Sequence, residues 1–305
     1  MSMRNHFPVS PSICVLGSAN MDLIVQQPWL PRPGETIAGK GFSVVPGGKG
    51  LNQAIAAVRA GAHVEFLGAV GSDAFGSELR ACLADEGVGT DGLIEVATPT
   101  GVAQVSVTDD GENSIVVVAG ANALIEPRAD QLLVHIQNAG YLMSQLERPY
   151  PLVLGAMRLA HEVGTVTALT PAPAHSMKHE LLQFVDILLL NAHEARDLAG
   201  EEDEHRAARQ LSQQVGLVIM TRGPLGVIAA QDGQIIHELS GEPVKAIDTT
   251  GAGDTFAGYF VAMLASGREL GEALAIASRA AGISVTRHGA STSIPRAHEV
   301  SGASG

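Results

Sequence analysis

An α/β fold, with a mostly parallel sheet between helices and a smaller β-sheet as a lid, is predicted by three features of the chain. From about residue 126 to 240, strand and helix patterns alternate, as they do in parallel sheets with helices on both faces. The chain opens on Ile13-Cys14-Val15-Leu16-Gly17, whose length and β-branching mark a buried strand. The stretch 101–118 differs in kind: two apolar runs flank the polar tip Asp109-Asp110-Gly111-Glu112-Asn113, a β-hairpin pattern. At 305 residues the chain can bury a sizeable core. We read residues 1–305 as a single α/β domain, with lid segments at about 22–45 and 98–120.

The elements follow in order. Residues 22–30 and 36–45 read as strands, divided by Pro31-Arg32-Pro33-Gly34. Gly47-Gly48 opens an Ala-rich helix to about Ala60, stopped by Gly61. His63 to Val70 is a strand, and Asp73 to Glu86 a helix ended by Gly87. In the hairpin, the returning strand Ile115-Val116-Val117-Val118 is apolar on both faces, as expected when both are covered. A second protomer would cover the outer one. Leu142 to Leu146, Val166 to Leu169, Ile187 to Leu190 and Leu217 to Thr221 are the later strands. Two Ala-rich helices, about 253–266 and 270–286, close the chain, and the tail Ser301-Gly302-Ala303-Ser304-Gly305 reads as flexible.

Composition excludes some partners. The net charge is -13, from 19 basic against 32 acidic residues, so the surface repels nucleic acid and anionic membrane. Cys14 and Cys82 are the only cysteines, which gives neither a disulfide framework nor a zinc spacing and fits a reducing cytoplasm. Neither a signal peptide nor a membrane-length apolar run is read. His175 and His179 are four apart in a polar stretch and read as solvated helix, not a metal site.

The most informative motif is Asp248-Thr249-Thr250-Gly251-Ala252-Gly253-Asp254-Thr255-Phe256-Ala257-Gly258. Small residues before an apolar helix leave backbone N–H groups free to hold an anion. A carboxylate, Asp254, stands in the same turn and would repel that anion. The pairing makes sense if Asp254 takes a proton from a hydroxyl that then attacks a phosphate, the chemistry of a small-molecule kinase. A dinucleotide fingerprint is excluded by Phe256 at the third small position and by the motif's place too late in the chain.

Other motifs carry two readings each. Asn20 and Asp22 follow the first strand and face the same way in extended chain, suited to the hydroxyls of a polyol; Asn and Asp also build turns. Pro46-Gly47-Gly48-Lys49-Gly50-Leu51-Asn52 resembles a phosphate loop but has Gly50 where Ser or Thr is needed. There Gly48 permits close backbone approach, and Lys49 and Asn52 share a helical face that reaches hydroxyls. The bland reading is a glycine-rich helix entry with an exposed Lys. Glu147 is a sugar-hydroxyl acceptor or the first polar residue of a loop. Asn191 either caps the next helix or, with Glu194, organises Mg²⁺ and its waters. Thr221-Arg222-Gly223-Pro224-Leu225-Gly226 is a tight turn or a wall against a nucleotide.

These motifs, in this order from about residue 12 to 296, resemble the ribokinase, or PfkB, family of carbohydrate kinases. Gly17-Ser18-Ala19-Asn20-Met21-Asp22, Pro33-Gly34-Glu35-Thr36, Gly120-Ala121-Asn122-Ala123 and Pro171-Ala172-Pro173-Ala174 join those above. The resemblance implies a doubly wound α/β fold with a β-sheet lid, a homodimer through the lids, and transfer of the γ-phosphate of Mg·ATP to the 5-hydroxyl of D-ribose. It implies Asp254 as base, with the N–H groups of Gly251, Ala252 and Gly253 as anion hole. Asn20, Asp22, Gly48, Lys49, Asn52 and Glu147 would hold the sugar. Asn191, Glu194, Thr221, Gly223, Gly226 and Ser278 would line the nucleotide and its metal. An activating K⁺ would sit among Asp248, Thr250, Ser284, Arg287, Gly289 and Ser293, several through backbone carbonyls.

The chain departs from the family at Thr170, where Asn often precedes Pro-Ala-Pro, and at Ser278, where His often borders the adenine. Both bear on nucleotide-side contacts, away from the proposed chemistry. The chain also stops soon after Pro295, where the family continues into a final helix. The alternatives are a kinase of the same family for deoxyribose, a nucleoside or a ketose, and a sugar or nucleotide sensor without catalysis.

Overall fold

A computed structural model of the chain describes residues 7–10, 12–125, 129–174 and 177–301. His175 and the tail beyond Ser301 lie outside the described residues. The main sheet has nine strands, in spatial order β13-β12-β11-β10-β9-β8-β1-β4-β5. These are β1 (Ser12–Leu16), β4 (His63–Gly71), β5 (Leu93–Val96), β8 (Tyr141–Gln145), β9 (Val166–Thr170), β10 (Ile187–Asn191), β11 (Leu217–Thr221), β12 (Val227–Gln231) and β13 (Gln234–Leu239). The pairings are parallel except at the edge, where β12 and β13 add on antiparallel.

The central strands β1, β10 and β11 are apolar on both faces because helices cover both. Ile13 and Val15 of β1 belong to one core, Cys14 and Leu16 to the other, and Ile219 and Met220 of β11 divide the same way. The first core is shared with α1 (Lys49–Arg59), α2 (Ala74–Asp85), α7 (Ala252–Ala265) and α8 (Leu270–Ser284). The second is shared with α3 (Ala129–Ile136), α4 (Tyr150–Val163), α5 (Ala192–Ala199) and α6 (Glu204–Leu211). Asp73 caps α2, its carboxylate accepting from Gly76 N at 2.8 Å. Within α7, Phe256, Tyr259, Phe260, Val261 and Leu264 are all buried, each contributing roughly 1.5–3 kcal/mol by leaving water. After Pro295 the chain does form a further short helix, α9 (Ala297–Ser301), whose Val300 is buried.

The strand order reverses between β1 and β8. The chain proceeds from β1 outward through β4 and β5, then returns to β8 and builds the other half. Open α/β sheets bind ligands beyond the carboxyl ends of the strands at such a point. Here those ends carry Gly17-Ser18 after β1 and Leu146-Glu147 after β8.

The second sheet is the predicted lid: β2 (Asn20–Gln27), β3 (Gly41–Gly47), β6 (Gly101–Thr108) and β7 (Asn113–Val118), in order β3-β2-β6-β7. The expectation that both faces of β7 are covered fails within the chain. Ile115 to Val118 are 51 to 58% exposed, because β7 is the edge strand and nothing among the described residues buries either face. No helix among the described residues is long and apolar enough to cross a membrane.

Candidate active site

Asp254 lies in the first turn of α7, whose start is set by Gly251 at φ 73°, a left-handed conformation that glycine adopts without strain. The helix then packs closely on α1. A Cβ at Gly258 would stand 2.5 Å from both the Ala56 Cβ and the Gln53 carbonyl oxygen, so only glycine allows this approach. The approach brings two amides of α1 to the Asp254 carboxylate. Asn52 Nδ2 donates to Oδ2 at 3.3 Å, and Gln53 Nε2 donates to Oδ1 at 3.0 Å. Asp254 is buried, and Asn52 Oδ1 is buried with no protein partner, a vacant acceptor beside the carboxylate.

The N-terminus of α7 faces open space. A Cβ at Gly253 would meet no atom within 4 Å. The leading N–H groups of a helix have no intrahelical partner and carry its positive dipole end. Of the three N–H groups predicted for an anion hole, that of Ala252 is partly engaged, donating to the Thr249 carbonyl at 3.3 Å.

At the switch point, Ser18 Oγ donates to Glu147 Oε2 at 2.5 Å, and Lys49 N donates to the same oxygen at 3.1 Å. Glu147 is therefore more than a loop residue: it joins the ends of β1 and β8 to the start of α1. Asn20 Oδ1 accepts from Asn122 Nδ2 at 2.8 Å. Asn122 also holds both the N–H and the carbonyl of Ala19, so its amide clamps the entry to β2. Burial, reinforced by Glu147, pushes the Asp22 carboxyl up to about 7. The Lys49 ammonium is held above its usual range by Asp254, against the effect of burial, with Glu147 and Glu194 adding to the attraction. Lys49 thus sits among three carboxylates and is not an exposed surface lysine.

On the far side of Lys49, Asn191 caps α5. Its Oδ1 accepts from Glu194 N at 2.9 Å, and Glu194 Oε2 accepts from Asn191 N at 2.9 Å, a complete capping box. The Glu194 carboxyl is raised by burial, partly offset by the Asn191 N–H and Lys49. Asn191 lies opposite Thr221 in register. After Thr221 the chain makes a tight turn, with Arg222 N donating to the Gly226 carbonyl at 2.7 Å and Gly226 N to the Gly223 carbonyl at 3.0 Å. Behind the α7 start, Asp248 accepts from Thr250 N and Gly289 N, each at 2.9 Å. Burial alone would raise its carboxyl, but these bonds outweigh burial and hold it below the usual range.

Residues 10–297 match the model of the pfkB family carbohydrate kinases. The chain belongs to the pfkB family. It is 39% identical to ribokinase of Haemophilus influenzae over 94% of this chain and 96% of that protein. It is 39% identical to ribokinase of Bacillus subtilis over 95% and 98%. Among solved structures, Arabidopsis thaliana ribokinase complexed with ribose and ATP superposes with a TM-score of 0.89 at 32% identity, covering 96% of this chain and 98% of that one.

Within this pfkB chain the predicted sugar residues converge. Asp22 and Lys49 both interact with Glu147, Asn52 bonds Asp254, which also attracts Lys49, and Gly48 packs on the Ser18-Ala19-Asn20 backbone. Several of the residues expected to hold a cation lie close together. Asp248 is bonded to the N–H groups of Thr250 and Gly289, and both Ile247 N and Asp248 N donate to the carbonyl of Val285, next to Ser284. Ser293 N bonds back to Ala290, on which Gly251 packs, while the Arg287 side chain turns away to Glu299 at 2.5 Å. Among the described residues no group of three or more His, Cys, Asp or Glu is placed to hold a metal. Ser278 is half-buried on α8 and makes no side-chain hydrogen bond to any described residue.

Sequence reasoning missed Ser18, Gln53, Asn122 and Gln145 as site residues. The signal was available at Gln53, a polar residue inside the apolar run Leu51 to Ala57, and at Gln145, which ends an apolar strand. Thr170 is also closer to the chemistry than its reading suggested, since its hydroxyl accepts from Gln53 Nε2 at 3.2 Å.

Proposed function

We propose that the protein is an ATP-dependent ribokinase that moves the γ-phosphoryl group of ATP to the 5-hydroxyl of D-ribose, with Asp254 as general base. The observation that carries this reading is the position of Asp254. It is a carboxylate only 6% exposed, in the first turn of a helix whose N-terminus is open, beside the Lys49 ammonium. Such a group accepts a hydroxyl proton where water is scarce. The Gly251, Ala252 and Gly253 end of α7 stabilises charge developing on the transferred phosphoryl group. Asn20 and Asp22 take the sugar hydroxyls, with Lys49, Asn52 and Glu147, and the vacant Asn52 Oδ1 is a ready acceptor for one of them.

Thr221, Gly223, Gly226 and Ser278 form the nucleotide wall, Glu194 the nearest carboxylate for Mg²⁺ and its waters, and Asn191 the cap that orients Glu194. Magnesium bound there would supply charge compensation at the phosphates. The oxygen donors around Asp248 suit a hard monovalent cation, so K⁺ is the proposed activator. The exposed apolar strand β7 supports a homodimer through the lids, because an apolar edge strand left in water is a pairing and aggregation hazard. The free cysteines Cys14 and Cys82 support a cytoplasmic setting.

The test is coupled ADP release with Mg·ATP across ribose, deoxyribose, fructose and adenosine, each with and without K⁺. Ribose-selective turnover that rises with K⁺ is expected. Preference for another acceptor overturns the sugar pocket, and ADP release indifferent to K⁺ overturns the cation site.

A further inference from the structure

Three amide and carboxylate groups form a directed chain through the protein interior. Gln145 Nε2 donates to Gln53 Oε1 at 2.6 Å, and Gln53 Nε2 donates to Asp254 Oδ1 at 3.0 Å. Both glutamines are completely buried, one at the end of β8 and the other on α1. The second N–H of Gln53 goes to Thr170 Oγ1 at 3.2 Å, at the end of β9. Gln53 is thus held at three points by three different elements. Its direction is fixed, since a flipped amide would set its oxygen against the carboxylate and its NH₂ against that of Gln145. The price of the arrangement is visible at the other end: Gln145 Oε1 is buried with no partner, lying where a Cβ on Gly17 would meet it at 2.5 Å. Native interiors rarely retain an unmet acceptor, and those that do call for an explanation.

We propose that Gln53 is a positioning residue for phosphoryl transfer, holding one oxygen of Asp254 so that the other faces the acceptor hydroxyl, and that Gln145 keeps Gln53 pointed the right way. The proposal rests on the reading of Asp254 as the base. A carboxylate in the first turn of a helix has free χ torsions, and a base must lie within hydrogen-bond reach of its proton. Asn52 touches the other oxygen at a longer 3.3 Å and lies among the sugar-binding groups. Gln53 lies behind, fully buried, and contributes only orientation and one N–H to the charged form. The charged groups facing Asp254 are Lys49 on α1 and Glu194 on α5, and removal of a neutral amide leaves both in place.

The experiment compares Gln53→Met, Gln145→Met and Asp254→Asn with the unsubstituted protein, because methionine nearly matches glutamine in volume and donates nothing. Ribose affinity by calorimetry and near-UV circular dichroism check the fold. For Gln53→Met we expect kcat to fall roughly tenfold to a hundredfold, with KM for ribose within about twofold. Gln145→Met should lower kcat by less, again with little change in KM, and it carries the test if Gln53→Met does not fold. Unchanged kcat in the folded variants, or a KM that rises as far as kcat falls, overturns the positioning role. If Asp254→Asn instead retains near-normal turnover, the assignment of the base fails, whatever the glutamines do.

Discussion

The seam between α1 and α7 and the edge of the lid are built on opposite terms. At the seam, every polar side chain is enclosed and the helices touch through Gly258, so the carboxylate of Asp254 is fixed by groups from the same chain. At the lid edge, four successive apolar residues of β7 stand in water on both faces. One half of the site is complete in a single chain, and the other presents a surface that calls for a cover. On the proposed reading, the chemistry belongs to the seam, while enclosure of the substrate belongs to the half that the proposed dimer would cover.

The comparison can be broken hardest at the seam. Asp254→Asn should lower kcat by about 10²–10⁴-fold with the fold retained, measured by coupled ADP release alongside circular dichroism. Next, Gly258→Ala inserts a methyl where there is no room. Overpacking of this kind costs about 1–3 kcal/mol, so the thermal midpoint should fall, and kcat should fall with it because Asn52 and Gln53 move away from Asp254. A stable, active Gly258→Ala enzyme would show that the seam is looser than described.

At the lid, Val117→Asp should convert the proposed dimer to monomer in sedimentation velocity, at little cost to the stability of the chain because the side chain is already 56% exposed. Its KM for ribose should rise more than its kcat falls. A last effect concerns Asp22. Its carboxyl titrates near 7 in the folded protein, against an ordinary value of 3.8. Between those values the folded state holds the proton more tightly than the unfolded state, so this group's contribution to stability is full below about 4 and is lost as pH rises to about 7. Thermal melts of the unliganded protein against Asp22→Asn over that range should show the wild type losing more stability with rising pH. Parallel curves would remove the raised carboxyl.

The fold was legible because its strands are short apolar runs separated by helices with clear stops, as at Gly61 and Gly87. The edge strands β12 and β13 were less so, since they are added antiparallel after the tight turn at Gly223, where the alternation of strand and helix ends. The motif around Asp254 could be read because an anion cradle and a carboxylate in one turn have few structural excuses. The cap reading of Asn191 holds, and the same capping box fixes the Glu194 carboxylate. Gln53 and Gln145 were not read because their meaning depends on two elements meeting. A lone buried glutamine says nothing until its partner, 92 residues away, is in place.

The first strand of the lid has a consequence for redesign. Asn20 opens β2 and lies in register with Gly47 of β3 and Gly101 of β6, so one residue marks the corner where three strands leave the main body. Its side chain is bonded to Asn122, just beyond the far end of the lid. A substitution at Asn20 made to admit a different acceptor would alter the joint as well as the pocket. A library that keeps Asn20 should therefore yield more folded enzymes than one that varies it.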